Sequence, residues 1–345
     1  MRSSLGNKCA VNFKTFVLEL TQSCNNNCLY CYNPWRVDNH HYPMGQLSTS
    51  EVKDIIVKLQ EENSVKSIGL SGGEPFLRPD LPEIVSFIRE RGIYPVIITN
   101  GTLLSEENVL ATSDAASYEI TLLSYKRDVH NYLVQREAFD LVVNGIANVV
   151  KNGGNYIAAF VATKINSADL YKTIELAIAL GAIGVMYNRI NLSANNIRYA
   201  DKLVPTISMI ESNLDELEKI ATKYDIQIAS SVPIPPCLVN IKKYEKIKFS
   251  WCPRGGEEAY YTVDSSGNLK ICNHSSIILG NLKTKRFGDL VENPYVTKFK
   301  EKIPKECINC ENELKDVCLG GCRAASEQCY GSLDSVDPIV KLLAK

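Results

Sequence analysis

Three cysteines stand within one short run, Cys24-Asn-Asn-Asn-Cys28-Leu-Tyr-Cys31. Three thiolates this close can hold three corners of a cubane iron–sulfur cluster. With no fourth cysteine nearby, one iron is left open to a small molecule. A structural zinc is usually four-coordinate, so the same three thiols would need a further ligand, which His40 or His41 could supply. A second group crowds the last third: Cys237, Cys252, Cys272, Cys307, Cys310, Cys318, Cys322 and Cys329. Cys9 stands alone, and it fits a small buried hydrophobe. No cysteine falls between Cys31 and Cys237, so the middle of the chain is a scaffold, or a chamber between two metal-binding ends.

Twelve cysteines in 345 residues need a redox compartment. Met1 to Lys8 is polar and carries no apolar signal core, so a cytoplasmic location is expected. Disulfides are disfavoured there, and clustered thiols point to metal. Lys plus Arg number 38 and Asp plus Glu 39, a net charge of −1. That balance gives no reason to expect nucleic acid. The absence of a long apolar run argues against a membrane span.

The elements that must position these thiols alternate. Strands are expected at 17–21, 67–71, 94–99, 118–123, 156–163 and 184–190. Helices are expected at 48–63, 81–91, 138–151 and 168–180. Val52, Ile55, Ile56 and Leu59 make one apolar face, and Ser48 with Glu51 forms a capping box. Six repeating βα units need parallel strands covered by helices. Six are too few for a closed eight-fold barrel, so the expected fold is α/β, a partial (β/α)6 TIM-type barrel, with chemistry at the C-terminal strand ends. After Ile228 the alternation breaks at Val232-Pro233-Ile234-Pro235-Pro236. Beyond it a hairpin is expected around Ser265-Ser266-Gly267-Asn268, then a loop-rich segment held more by metal than by core. The expected domains are 1–231 (barrel), 232–335 (cysteine-rich) and 336–345 (tail).

Polar residues follow at the strand ends. Ser71-Gly72-Gly73-Glu74-Pro75 comes directly after the second strand, with glycines that let backbone approach a ligand. Thr99-Asn100-Gly101 closes the third strand, Ser124 ends the fourth, and Arg189 lies near the end of the sixth.

The Cys24–Cys31 motif resembles the CxxxCxYC-type signature of the radical S-adenosylmethionine enzymes, with Tyr30 in the aromatic slot. The resemblance implies that Cys24, Cys28 and Cys31 bind a [4Fe–4S] cluster whose open iron chelates S-adenosylmethionine. Reductive cleavage of that cofactor gives a 5′-deoxyadenosyl radical. Gly72, Gly73, Glu74 and Pro75 resemble the family's GGEP motif, which contacts the methionine amino group. Asn100 resembles its TNG turn, and Ser124 and Arg189 are positioned for the cofactor's carboxylate or ribose.

The C-terminal spacing resembles the SPASM extension, C-x(9–15)-G-x4-C then C-x2-C-x5-C-x3-C and a last C. Seven residues rather than five separate Cys310 from Cys318. The resemblance implies two auxiliary [4Fe–4S] clusters: Cys252, Cys272 and Cys322 with Cys237 for the first, and Cys307, Cys310, Cys318 and Cys329 for the second. Cys237 could instead be a free thiol that donates a hydrogen atom to a substrate radical.

SPASM enzymes mostly modify peptides, which makes this chain resemble the maturases of ribosomally made peptides (RiPPs). The substrate expected is a precursor peptide and the product an intramolecular carbon–carbon, thioether or ether cross-link. Epimerisation, excision, action on a small molecule and action on a sulfatase Ser or Cys are the alternatives. Only 23 residues precede Cys24, so leader recognition is expected from a separate leader-binding protein or from the barrel and SPASM surfaces. A flavodoxin or ferredoxin is the expected reductant. Sulfatase maturation fits poorly, because Asn273 stands where that branch has a basic Asp and an amide cannot accept the proton. The stretch Thr121-Leu122-Leu123-Ser124 also departs from that branch's S-L-D-G. Asp128, His130, Glu257, Glu258 and His274 are the candidate bases. A zinc-stabilised binding module is the non-enzyme alternative.

Overall fold

The computed structural model describes residues 13–38, 41–256 and 258–344. Cys9, His40 and Glu257 lie outside the described residues.

Six consecutive parallel strands carry the barrel: β1 (Thr15–Thr21), β2 (Ser67–Gly72), β3 (Tyr94–Thr99), β4 (Ser117–Thr121), β5 (Tyr156–Ala162) and β6 (Ala182–Arg189). Helices α1 (Thr49–Glu62), α2 (Leu81–Glu90), α3 (Glu106–Ala111), α4 (Arg127–Val134), α5 (Phe139–Lys151) and α6 (Leu170–Ala179) connect them. The capping box at Ser48 forms as the sequence implies, with the Glu51 amide donating to Ser48 Oγ and the Ser48 amide to the Glu51 carboxylate.

The parallel sheet then continues. After α7 (Ala200–Leu203) and α8 (Ile207–Tyr224) come β7 (Gln227–Ser230) and β8 (Ile247–Phe249), parallel to β6 and to each other. On the opposite side β9 (Thr262–Val263) pairs parallel with β1, and β10 (Asn268–Lys270) and β11 (Gly280–Asn281) follow antiparallel. The sheet order is β11-β10-β9-β1-β2-β3-β4-β5-β6-β7-β8, an open sheet with two edges. The sequence reading ended the regular alternation near Ile228, because strands of three and four residues carry too little periodicity to be read. Residues past 231 thus supply both flanks of the barrel's sheet. Five short helices close the chain: α9 (Phe287–Val291), α10 (Pro294–Glu301), α11 (Lys315–Cys318), α12 (Arg323–Tyr330) and α13 (Pro338–Leu343).

Strand alternation sorts the side chains. Phe16, Leu18 and Leu20 of β1, Ile68 and Leu70 of β2, and Tyr118 and Ile120 of β4 pack outward against the helices. The opposite parity places Glu19, Ser71, Ile98, Glu119 and Ile157 on the concave face, where β-pairing aligns Glu19 with Ser71 and Glu119 with both Ile98 and Ile157. Among the described residues, no helix is long and apolar enough to cross a membrane.

Candidate functional site

The cysteine loop leaves the end of β1 and is tied down by main-chain and side-chain bonds. The Asn27 and Leu29 amides donate to the carbonyls of Val134 and Leu133 at 3.1 and 2.9 Å. Arg36 Nη2 donates to Asn26 O at 3.1 Å and Asn27 Oδ1 at 2.6 Å. From the other side Asn195 Nδ2 reaches Cys31 O at 2.8 Å and Asn196 Nδ2 reaches Tyr30 O at 3.0 Å. The loop geometry therefore rests on protein partners.

Its thiols repel one another. Burial, and then the neighbouring thiolates, push Cys28 up, and burial does the same to Cys24 and Cys31. Three buried thiols favour ionisation only when a cation shares the site, which is the condition a bound iron cluster supplies. A cavity of about 380 Å³ borders Cys28, with Arg36, Asn195 and Arg198 in its wall. That cavity touches Cys28 but neither Cys24 nor Cys31, so the fit to the group rests on the donor set of three clustered thiols.

The SGGEP and TNG segments prove to be one unit. Gly72 has φ +127°, and a Cβ there would meet Thr21 O at 2.3 Å; one on Gly73 would meet Ser23 O at 2.1 Å. These glycines let the segment press against the backbone of the cysteine loop, and the Gly73 and Glu74 amides donate to Thr21 O and Ser23 O. Glu74 is fully buried. It accepts from Thr99 Oγ1 at 2.7 Å, the Asn100 amide at 2.8 Å and the Phe76 amide at 3.2 Å. The Glu74 side chain thus staples β2 to β3, where the sequence reading had it facing a cofactor ammonium. Burial raises it to about 7 against those donors. Asn100 Nδ2 in turn donates to Asn25 Oδ1 at 2.8 Å, linking the turn to the cysteine loop. Pro75 caps the unit inside, and Tyr30 packs beside Cys28.

Two of the expected cofactor-binding residues have protein partners in this structure. Arg189 is fully buried and its donors are taken: Nε by Pro233 O at 2.7 Å, Nη1 by Ile190 O at 2.9 Å, Nη2 by Asp337. It cannot reach a cofactor carboxylate without giving up an ion pair with no solvent around it. Ser124 is also buried and donates to Asp169 Oδ2 at 2.7 Å. Both residues brace the frame.

The candidate bases scatter. Asp128 and Glu258 are exposed, and Glu257 lies outside the described residues. His130 is buried, receives the Leu123 amide on Nδ1 at 3.3 Å and packs on Phe139. Burial lowers it to about 4, so it is neutral. His274 is likewise pushed to about 4, with Nε2 2.9 Å from Leu192 O.

Residues the motifs did not flag line the concave face instead. Glu19 forms a buried ion pair with Lys270 at 2.8 Å, with Lys270 also 5.6 Å from the ring centroids of Trp35 and Tyr42. Glu119 is raised to about 7 by burial alone. Tyr32 follows Cys31 and lies within electrostatic reach of Glu19, Glu119 and Cys272. Asn273 Nδ2 donates to its hydroxyl at 2.7 Å, and the His274 ring is 4.7 Å away. Tyr32 therefore joins the first cysteine site to the Cys272 loop. Only the period-2 pattern of β1 and β4 could have shown Glu19 and Glu119 in the sequence, as charges amid apolar strands.

In the C-terminal region Cys252, Cys272 and Cys322 lie within mutual electrostatic reach. Beside them Arg323 is 3% exposed, and its Nε, Nη1 and Nη2 have no hydrogen-bond partner. A buried guanidinium with three idle donors requires an anion. An iron–sulfur cluster bound by these thiolates is such an anion, so this site fits an auxiliary cluster. Among the described residues, no three potential ligands converge on a single ion's position.

This arrangement defines a class. The Radical SAM superfamily model matches residues 18–177, and the SPASM model, an iron-sulfur cluster-binding domain, matches residues 252–311. The chain therefore carries a radical S-adenosylmethionine domain followed by a SPASM domain. It is 28% identical over 352 residues to an AdoMet-dependent heme synthase of Methanosarcina barkeri (strain Fusaro / DSM 804), covering 93% of this chain and 94% of that protein. It is 24% identical over 340 residues to a PqqA peptide cyclase of Gluconobacter oxydans (strain 621H), covering 95% and 90%. The fold matches Streptococcus suis SuiB bound to precursor peptide SuiA, with TM-score 0.76, 15% identity, and coverage of 95% of this chain and 76% of that one. It also matches anSMEcpe with bound AdoMet, with TM-score 0.71, 17% identity, and coverage of 96% and 91%.

Proposed function

We propose that this enzyme oxidises a precursor peptide, most simply by closing an intramolecular cross-link, with S-adenosylmethionine and three [4Fe–4S] clusters. The observation that carries the reading is Tyr32, which bridges the Cys31 loop and the Cys272 loop. Hydrogen removal at one end and electron acceptance at the other then serve a single bound substrate. When bound at Cys24, Cys28 and Cys31, the cluster and S-adenosylmethionine supply the 5′-deoxyadenosyl radical that abstracts the hydrogen. The protein's part is to hold, orient and exclude. The Glu74–Asn100–Asn25 chain fixes the cysteine loop on the strand ends. The apolar concave face, with Ile98 and Ile157 beside Glu119, keeps water from a radical. Glu119, held near neutrality, is the chamber group suited to take a proton during bond closure. The cytoplasmic setting, a flavodoxin or ferredoxin as reductant, and a separate leader-binding protein belong to this reading.

A second reading follows from the heme synthase relative, whose alignment spans nearly the whole of both chains. There the substrate is a tetrapyrrole heme precursor. Anaerobic turnover with a short peptide encoded beside the gene, and separately with heme precursors, decides between them by mass spectrometry. Loss of two hydrogens from the peptide supports cross-linking. An unchanged peptide and a converted tetrapyrrole would replace the first reading with the second.

A further inference from the structure

A cavity of about 470 Å³ opens in the cysteine-rich region, and four thiols face it: Cys237, Cys307, Cys310 and Cys318. Cys329 does not line it. Charge proximity gives the same grouping. Asp337 acts on Cys237 and Cys329 alike, so the thiol neighbours make the distinction: Cys237 feels Cys318 and Cys310, and Cys307 feels Cys318, Cys310 and Cys237, whereas the thiol that acts on Cys329 is Cys322. Cys329 sits near the end of α12 and Cys322 at its N-cap, seven residues apart and so roughly 10 Å along the axis.

We propose that Cys237 is the fourth ligand of the second auxiliary cluster, completing Cys307, Cys310 and Cys318 in the place that spacing gave to Cys329. This rests on the iron–sulfur reading above. The approach of Cys237 is built in. The Leu238 amide closes a turn on Pro235 O at 3.0 Å, and Asn312 Nδ2 holds Pro236 O at 3.2 Å. Asn312 Oδ1 in turn receives the Leu314 amide at 2.9 Å, so one side chain fixes the Pro236-Cys237 turn against the segment after Cys310. The Cys310 amide donates to Cys307 O at 3.2 Å, a turn that brings both thiols to one side. Leu319, Gly320 and Gly321 all have positive φ, at 43°, 90° and 82°. Their turn aims the Gly320 and Gly321 amides at the Cys318 sulfur, where they favour the thiolate. A Cβ on Gly320 would meet Pro304 at 2.6 Å.

The inference also disposes of Cys237 as a hydrogen-atom donor, since a ligating thiolate has no S–H to give. It is tested on the full chain, reconstituted anaerobically with iron and sulfide and pulsed with iodoacetamide before denaturation and mass spectrometry. Exposed Cys237 alkylates readily in the metal-free protein and about tenfold more slowly once loaded, in step with Cys307, Cys310 and Cys318. Cys237→Ala exposes those three to alkylation in the loaded protein, while Cys329→Ala leaves them protected. The reverse pattern, or a Cys237 equally reactive in both states, overturns the assignment while leaving the iron–sulfur reading intact. Should Cys237→Ala not fold, the wild-type footprint decides alone. Wild-type protein that takes up no iron and protects no cysteine would sink both.

Discussion

The Cys24–Cys31 loop and the Cys307–Cys329 segment both gather thiols, but different forces hold them. The first hangs from the end of a seven-residue strand and is anchored by bonds to α4, to Arg36 and to Asn195 and Asn196. The second runs through a 3-10 turn and helices of four and eight residues. Three of its cysteines, Cys307, Cys310 and Cys318, border open space. Isolated helices that short are unstable in water. One site is held in place by protein partners, and the other has fewer of them. Local order at a cysteine motif therefore depends on which strands stand behind it.

Removing iron should widen that contrast most. With a chelator present, amides of β1 to β6 keep their hydrogen-exchange protection. Amides across 305–318, a mostly exposed stretch, lose on the order of a hundredfold, because few buried contacts besides the cluster oppose their local opening. A uniform loss over both regions would break the comparison.

The next effect tests what fastens the regions together. Arg189 at the end of β6 and Asp337 before α13 form an ion pair with both side chains fully buried. Asp337 also receives the Cys322 amide at 2.7 Å. Arg189→Met leaves an unpaired buried carboxylate and should cost about 3–5 kcal/mol in denaturant unfolding. Pairing it with Asp337→Leu should recover most of that loss. No recovery would show that the Cys322 amide, and not the charge pair, is what Asp337 secures.

A smaller effect separates the chamber by pH. The Glu119 carboxyl is raised to about 7 in the fold by burial, from an ordinary 4.5. Below 4.5 both states are protonated and the group is silent. Between 4.5 and 7 the unfolded chain ionises and the folded chain does not, so stability falls as pH rises. The loss reaches about 3 kcal/mol and is complete above 7. Glu119→Gln should lessen that slope by its share, about one of four such carboxyls, in urea midpoints taken across the window. An unchanged slope would assign it to Glu19, Glu74 and Glu327, which are raised alike.

The six strands were legible because long apolar runs bounded by Gly, Asn and Pro leave few alternatives, as at Tyr94–Thr99. The capping box of α1 was legible because its partners are three residues apart. Glu74, Ser124 and Arg189 were legible as polar strand-end residues, but their protein partners were not. A polar side chain at a strand end reads the same whether it faces a ligand or the next strand. Arg189 meets Asp337 across 148 residues, a pairing that local patterning cannot carry. Glu119 and Tyr32 went unseen for the same reason: the chamber exists only once the strands are side by side. The grouping of Cys237 was hidden because spacing ranks cysteines by order, while the Pro235-Pro236 turn and Asn312 place this one by shape.

The smallest effect is the sharpest in sign. Arg323 lies under the Phe299 ring, 5.7 Å from its centroid, with no hydrogen-bond partner for its guanidinium and Cys252 within electrostatic reach. In metal-free protein that charge is buried without compensation, so Arg323→Met should stabilise by about 1 kcal/mol. In reconstituted protein the cluster's negative charge faces the same guanidinium, and removing it should cost a similar amount. Denaturant midpoints of wild type and variant, taken with and without iron, read the two signs directly. No substitution at Ser48, whose capping bond is made without metal, can reverse in this way; its loss costs about 1 kcal/mol in both states. A change of the same sign at Arg323 in both states would mean that the auxiliary site is as preformed as the first, and the contrast between the two regions would fail at its centre.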